Sequence, residues 1–272
     1  MDYRRCLRFM MSLLMVGLLF LEVGCALLRE KASPAQALQG AGIHSLRIGI
    51  TPNYPPVIFK ENGAIAGIEA DMADRLSTEL ALSVTFVELP FNEQLKALRN
   101  NKIDLVMAGM SITDKRAKQA SFTHPYLETG QVAIVRATDI ARFSPPKDAL
   151  YVNGLRIGYE AGTTGMEFAV GAFLLSELSK FPSADEGLAA LRDRKIDAFI
   201  HDAITARQIV GQEQYKNLIT VTEPFTHEEI AWAVRHEDNV LLDALNRTID
   251  SWKAQGVLKQ IIEKWMAATQ TE

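Results

Sequence analysis

The sequence predicts an α/β protein of two similar lobes facing each other across a cleft, and three observations lead there. The first is an internal repeat. Leu95-Lys-Ala-Leu-Arg-Asn-Asn-Lys-Ile-Asp-Leu-Val106 is echoed by Leu188-Ala-Ala-Leu-Arg-Asp-Arg-Lys-Ile-Asp-Ala-Phe199, and Leu46-Arg-Ile-Gly-Ile50 by Leu155-Arg-Ile-Gly-Tyr159. The copies lie roughly one hundred residues apart, too far for a solenoid repeat and right for two α/β lobes. The second is that each repeated strand runs into a polar cluster, residues 109–116 in one copy and His201-Asp202 in the other. Ligands of open α/β sheets bind at such strand ends. The third is position: the second copy begins and ends in mid-chain, so the chain must cross between lobes twice, as in a hinge.

The elements follow in order. Residues 1–25 read as an export signal: Arg4, Arg5 and Arg8 precede an apolar run at 9–21. That run is shorter than the roughly 20 residues that span a bilayer. Residues 26–45, rich in Ala, Gln and Gly, read as a tether. A first strand at 46–50 breaks at Pro52, Pro55 and Pro56, and Asn62-Gly63 marks a hairpin turn. Ile68, Met72, Ala73, Leu76 and Leu80 recur at helical spacing over 68–80. A strand at 84–89, a helix at 92–99 and a buried strand at 103–108 come next, then a strand at 131–135. From 136 to 148 the chain turns polar and acquires Pro145-Pro146, which places the first crossing there. The second lobe then spans 137–224, with strands at 155–160 and 198–201 and helices from 165, over 184–192 and through 210. A strand at 230–234 and helices at 241–255 and 257–266 return to the first lobe, which comprises 46–136 and 225–268.

Composition limits the function classes. The 272 residues are 48% hydrophobic, enough for one large core or two modest ones. A net charge of −4 argues against nucleic acid as a partner. The two cysteines, Cys6 and Cys25, both lie in the signal region, so an exported chain would carry no internal disulfide. No His or Cys spacing points to a metal, and no Ser/His/Asp set sits on a nucleophile elbow.

The candidate site residues sit at strand ends. Gly109 permits close backbone approach, while Ser111 and Thr113 offer hydroxyls that can also cap a helix. Arg116 carries a planar fork that fits a carboxylate, or else pairs with a structural acid. Gly162-Thr163-Thr164-Gly165 follows a strand and opens a helix, which is either an anion site or a simple turn and cap. Asp202 can take an ammonium group or cap the helix that follows it, and Tyr54 and Phe91 can wall a ligand or fill a core. Glu160 ends a strand and either pairs with a cationic ligand or stays solvated at the rim. A carboxylate clamp, an ammonium acceptor and aromatic walls together meet the requirements of a free α-amino acid.

These runs resemble the extracellular solute-binding proteins of family 3, which deliver polar amino acids to ABC importers. Gly67-Ile-Glu-Ala-Asp-Met72 looks like the signature of the family's first long helix, with Ala70 in place of a larger aliphatic. Ser111-Ile-Thr-Asp-Lys-Arg116, then Ser121-Phe-Thr-His-Pro-Tyr126, is its most recognisable stretch. Gly162-Thr-Thr164, Phe199-Ile-His-Asp202 and Gly256-Val-Leu with Lys264-Trp265 match its later motifs. The resemblance covers about residues 46–266. It implies a two-lobed periplasmic-binding-protein fold of type II, with two hinge-crossing segments and no cofactor. It also implies that Arg116 and the Thr164 backbone hold the ligand carboxylate. Ser111 and Asp202 would take the ammonium, and Tyr54 and Phe91 would flank the side chain. The implied partners are a free amino acid and the membrane permease of an importer, with the protein a monomer in the periplasm or cell envelope.

Departures bear on the ligand. Thr51 stands where binders of basic amino acids often place an acid, and Ala108 and Gly109 stand where a second serine is common. Val23-Gly24-Cys25 is similar to the end of a lipobox, with Glu22 in place of an aliphatic residue. By that resemblance Cys25 is lipidated and anchors the chain to a membrane; the alternative is an unmodified thiol or an uncleaved anchor. Two rival functions remain open. One is an enzyme resembling cyclohexadienyl dehydratase, using Glu160 or Asp202; the other is a sensory or regulatory module.

Overall fold

The computed structural model describes residues 32–267. The export-signal reading and Cys25 lie outside the described residues. Two five-stranded sheets form the centres of two lobes. In the first, the order is Ser83–Glu88, Ser45–Ile50, Leu105–Val106, Ala233–Val234, Ser121–Phe122. In the second, it is Glu177–Phe181, Arg156–Glu160, Ala198–Asp202, Gln131–Arg136, Leu218–Thr220. Each sheet has three parallel strands followed by an antiparallel fourth. Leu46, Ile48 and Ile50 are buried in the core of the first lobe, and Leu155, Ile157 and Phe199 in that of the second.

The repeat builds the same ionic clasp at the floor of each lobe. Asp104 accepts hydrogen bonds from the Arg47 backbone, Nε and Nη2 at 3.0, 2.9 and 2.8 Å. Asp197 accepts the same three bonds from Arg156 at 3.0, 3.2 and 2.9 Å. A further arginine completes each clasp. Arg235 reaches Asp104, the Ile103 carbonyl and Asp238; Arg136 reaches Asp197, the Ile196 carbonyl and Asp139. The first pair follows from the repeated Leu-Arg-Ile-Gly and Lys-Ile-Asp motifs. Arg235 and Arg136 come from the antiparallel fourth strands or their ends, which the chain supplies in the opposite order.

The crossing lies earlier than the composition indicates. Residues 131–136 were expected in the first lobe, but they form a wholly buried strand between Ala198–Asp202 and Leu218–Thr220 of the second. The polar 136–148 stretch is a surface excursion of 3₁₀ turns, pinned by Phe143 and Ala149 in the second core. The chain crosses along Leu127–Thr129 and returns along Glu228–Ile230, and the two strands pair antiparallel as a hinge ribbon. Gly130 lies where they touch: a Cβ there would overlap the Thr226 carbonyl. The expected 230–234 strand accordingly divides between the ribbon and the first sheet.

The tether expectation also needs correction. Pro34–Gly40 is a helix, opened by a capping box in which Ser33 and Gln36 satisfy each other's backbone N–H. Its Leu38 is fully buried against the Ile68–Leu80 and Asn239–Ala254 helices of the first lobe. A capped turn with one buried leucine docks a segment that composition alone marks as flexible.

Candidate functional site: the cleft between the lobes

The nine residues singled out in the sequence line one cavity between the lobes: Tyr54, Phe91, Gly109, Ser111 and Arg116 from the first, Glu160, Thr163, Thr164 and Asp202 from the second. Each is placed by a local device. Gly109 adopts φ +62°, and a Cβ there would lie 2.6 Å from the Tyr54 ring, so only glycine lets the tyrosine pack flat on the backbone. Its N–H donates to the fully buried Glu69 at 3.1 Å, which also accepts from the Tyr126 hydroxyl at 2.7 Å. Thr113 caps the short Asp114–Ala117 helix by accepting from the Arg116 N–H, which turns Arg116 back over the Phe91 ring at 5.1 Å. Thr163 likewise caps Thr164–Ala172 through Met166, so the cavity receives the free backbone N–H groups of that helix start.

Arg116 is the cation of the cavity. Its Nη1 donates to the Ser111 carbonyl at 2.9 Å, and its Nη2 faces the Gly162 carbonyl of the other lobe at 3.5 Å. Among the described residues it forms no ion pair, and burial lowers its pKa against the pull of Glu167, Asp202 and Glu228. Such a half-buried guanidinium, hydrogen-bonded only to carbonyls, is set to take an anion.

Opposite it lie carboxylates. The Asp202 side chain makes no capping bond to the helix it precedes. It accepts instead from Gln131 Nε2 at 2.8 Å and is reached by the Tyr54 hydroxyl across the cleft. Burial, then the nearby Glu228, pushes Asp202 up to about 6. Burial, then Asp202 and Asp185, pushes Glu160 up to about 7. His201, buried beside Tyr54 with 6.0 Å between ring centroids, is driven down to about 4 by burial and is neutral above that pH. The Thr51 hydroxyl is engaged by the Leu89 carbonyl and Gln94 rather than by the cavity.

Two residues behind the lining escaped the sequence reading. Glu228, on the returning hinge strand, accepts from the Ser111 hydroxyl at 2.7 Å. Gln131, first residue of the second lobe's fourth strand, lies within 2.9 Å of Glu228 and 3.1 Å of Thr164 Oγ1. The clue available was that each begins a strand adjoining a crossing, which becomes readable only once the crossing is correctly placed.

A cleft with these polar ends, between lobes joined by a two-stranded hinge, is the architecture of a bilobal solute-binding protein. Comparison with known families narrows the class. Residues 46–268 match the bacterial extracellular solute-binding proteins, family 3, and the chain belongs to that family. It is 29% identical over 226 residues to the ABC transporter arginine-binding protein 1 of Escherichia coli (strain K12), covering 81% of this chain and 90% of that one. It is 28% identical to the histidine-binding periplasmic protein of the same strain, over 86% of this chain and 92% of the relative. Among solved structures, the ancestral amino acid-binding protein AncCDT-1, a precursor of cyclohexadienyl dehydratase, superposes with a TM-score of 0.75 at 28% identity. That match covers 86% of this chain and all (100%) of that one. The chain is thus built as an extracellular solute-binding protein, and the two relatives and the solved structure named here are amino-acid-binding proteins.

Proposed function

We propose that the cleft binds a free α-amino acid with a cationic side chain and presents it to the permease of an ABC importer. The observation that carries this reading is the imbalance of charge across the cavity. One guanidinium, Arg116, faces Asp202 and Glu160, with Glu228 behind them. A zwitterion satisfies Arg116 with its carboxylate and Asp202 with its ammonium, which leaves Glu160 to a second positive charge. Relatives named for arginine and histidine support the same ligand class. Thr51, which stands against a basic ligand by its position in the sequence, is replaced in that role by Glu160 from the other lobe.

The chain acts as a binding protein rather than an enzyme, in the periplasm, tethered through Cys25 if that thiol is lipidated. One observation favours a second reading: Glu160 is a half-buried acid raised to about 7, suited to proton donation, and AncCDT-1 preceded a dehydratase. Calorimetric titration with L-arginine, L-lysine, L-histidine, L-glutamine and L-glutamate tests the first reading. The cationic ligands should bind about tenfold tighter than glutamine; equal affinity for glutamine would remove the cationic assignment. Turnover of prephenate by the same preparation would put the dehydratase reading in its place.

A further inference from the structure

Glu228 does not line the cavity, yet it holds two residues that shape it. Its Oε2 accepts the Ser111 hydroxyl at 2.7 Å, and its Oε1 accepts from Thr226 Oγ1 at 3.0 Å and Gln131 Nε2 at 2.9 Å. The same Gln131 nitrogen lies 2.8 Å from Asp202 Oδ1. Ser111 belongs to the first lobe, Gln131 to the second and Glu228 to the ribbon between them, where Ser111 also bridges to Ile230. A serine hydroxyl has a single proton to give, and an ionised carboxylate has none. Once that proton is committed to Glu228, Ser111 offers the cavity only lone pairs.

We propose that Glu228 is a positioning residue that fixes Ser111 as a hydrogen-bond acceptor beside Asp202, so that the cleft selects an α-substituent with several protons to donate, an ammonium group. The proposal rests on the amino-acid reading above and adds to it the residue that sets the polarity of the ammonium site. It also explains why a hinge strand carries an acid there. Three donors converge on this one carboxylate, from the first lobe, the second lobe and the loop that leads into the ribbon. Glutamine at 228 would have the same shape but one amide nitrogen. That nitrogen would have to face Ser111, which would then be free to turn its own proton into the cavity, or face Gln131 Nε2, where donor would meet donor.

The test uses the full chain and two probes, L-arginine and its deamino analogue 5-guanidinopentanoic acid, which keeps the carboxylate and the guanidinium but lacks the ammonium. Glu228→Gln should weaken arginine about tenfold and change the analogue less than about twofold. In a Ser111→Ala background the same substitution should cost arginine less than about threefold, because the group through which it acts is gone. Glu228→Asp, acceptor-only like the native residue, should keep the preference for arginine over the analogue. Equal weakening of both probes, additive effects with Ser111→Ala, or loss of the preference in Glu228→Asp would each overturn the proposal and leave amino-acid binding standing. A wild-type protein that binds none of arginine, lysine, histidine or glutamine would overturn the amino-acid reading and this proposal with it. If Glu228→Gln does not fold, the Glu228→Asp and Ser111→Ala proteins decide between polarity and size at the same two probes.

Discussion

Arg116 lies against Phe91 with only carbonyl oxygens for partners, so its removal should act on binding and spare the fold. Arg116→Ala is expected to cost about 2–5 kcal/mol of ligand affinity, because the ligand carboxylate would then be buried unpaired. Titration alongside an unchanged thermal melt is the check, and near-native affinity would remove the clamp. Glu160 and Asp202 carry a second prediction. Raised to about 7 and about 6, they hold protons in the empty cleft that a cationic ligand must displace. Affinity for arginine should therefore rise from pH 5 to pH 8, with proton release on binding, and the rise should shrink in Glu160→Gln. The stability of the ligand-free protein has the opposite sign for these two acids. The folded state binds more protons than the unfolded one, so their contribution falls as pH climbs from about 4 to 7. His201, driven down to about 4, is already neutral over the binding window and drops out of it. The nine lining residues singled out in the sequence were legible because each lies shortly after a strand or near a helix start within a recognisable run. Glu228 and Gln131 were not, since their bonds join residues 117 and 97 positions apart and leave no local mark.

At the scale of elements, the two clasps make a matched pair of experiments. Asp197 is 7% exposed and takes bonds from Arg156 and Arg136, with Arg142 nearby at 3.3 Å. Burial opposes its ionisation, but the bonds from Arg156 outweigh it and hold the carboxyl at about 2. Asp197→Asn should destabilise the protein by about 3–5 kcal/mol, as expected when a buried pair loses one partner. Asp104→Asn should act in the same direction on the first lobe. Both clasps sit at the amino ends of their strands and the ligand at the carboxyl ends, so ligand affinity should be unchanged. Denaturant unfolding reads the first quantity and titration the second; losses below about 1 kcal/mol would class the clasps with ordinary surface pairs. The Asp197 contribution is complete above the unfolded carboxylate range and disappears as pH falls towards 2. The parallel strands and long helices were readable from hydrophobic period and repeat. The crossing was misplaced because a polar, proline-rich stretch looks the same on a lobe surface as between lobes. The Pro34–Gly40 helix was passed over because seven residues and one buried leucine give too short a period to register.

For the whole molecule, the contacts across the cleft define what closure means. Lys115 meets Glu167 at 3.2 Å, Arg116 faces Gly162, and Tyr54 reaches Asp202, each joining one lobe to the other. A ligand that engages Arg116 on one side and Asp202 on the other favours this arrangement over an open one, and must shift the population towards it. Small-angle scattering should show a smaller radius of gyration with saturating arginine than without it; an unchanged radius would remove the clamp. The interrupted path of the chain bears on something else, the order in which the lobes can be finished. The second lobe is one continuous stretch and has every strand of its sheet once residue 220 has emerged. The first must wait for Ala233–Val234 to enter its sheet and for Trp232 and Trp252 to fill its core. Its opening helix, Pro34–Gly40, leans on Asn239–Ala254, so the earliest described segment is settled only by one of the last. A chain delivered amino end first thus completes its later lobe before its earlier one, and the cleft exists only when the Asn239–Ala254 helix has arrived.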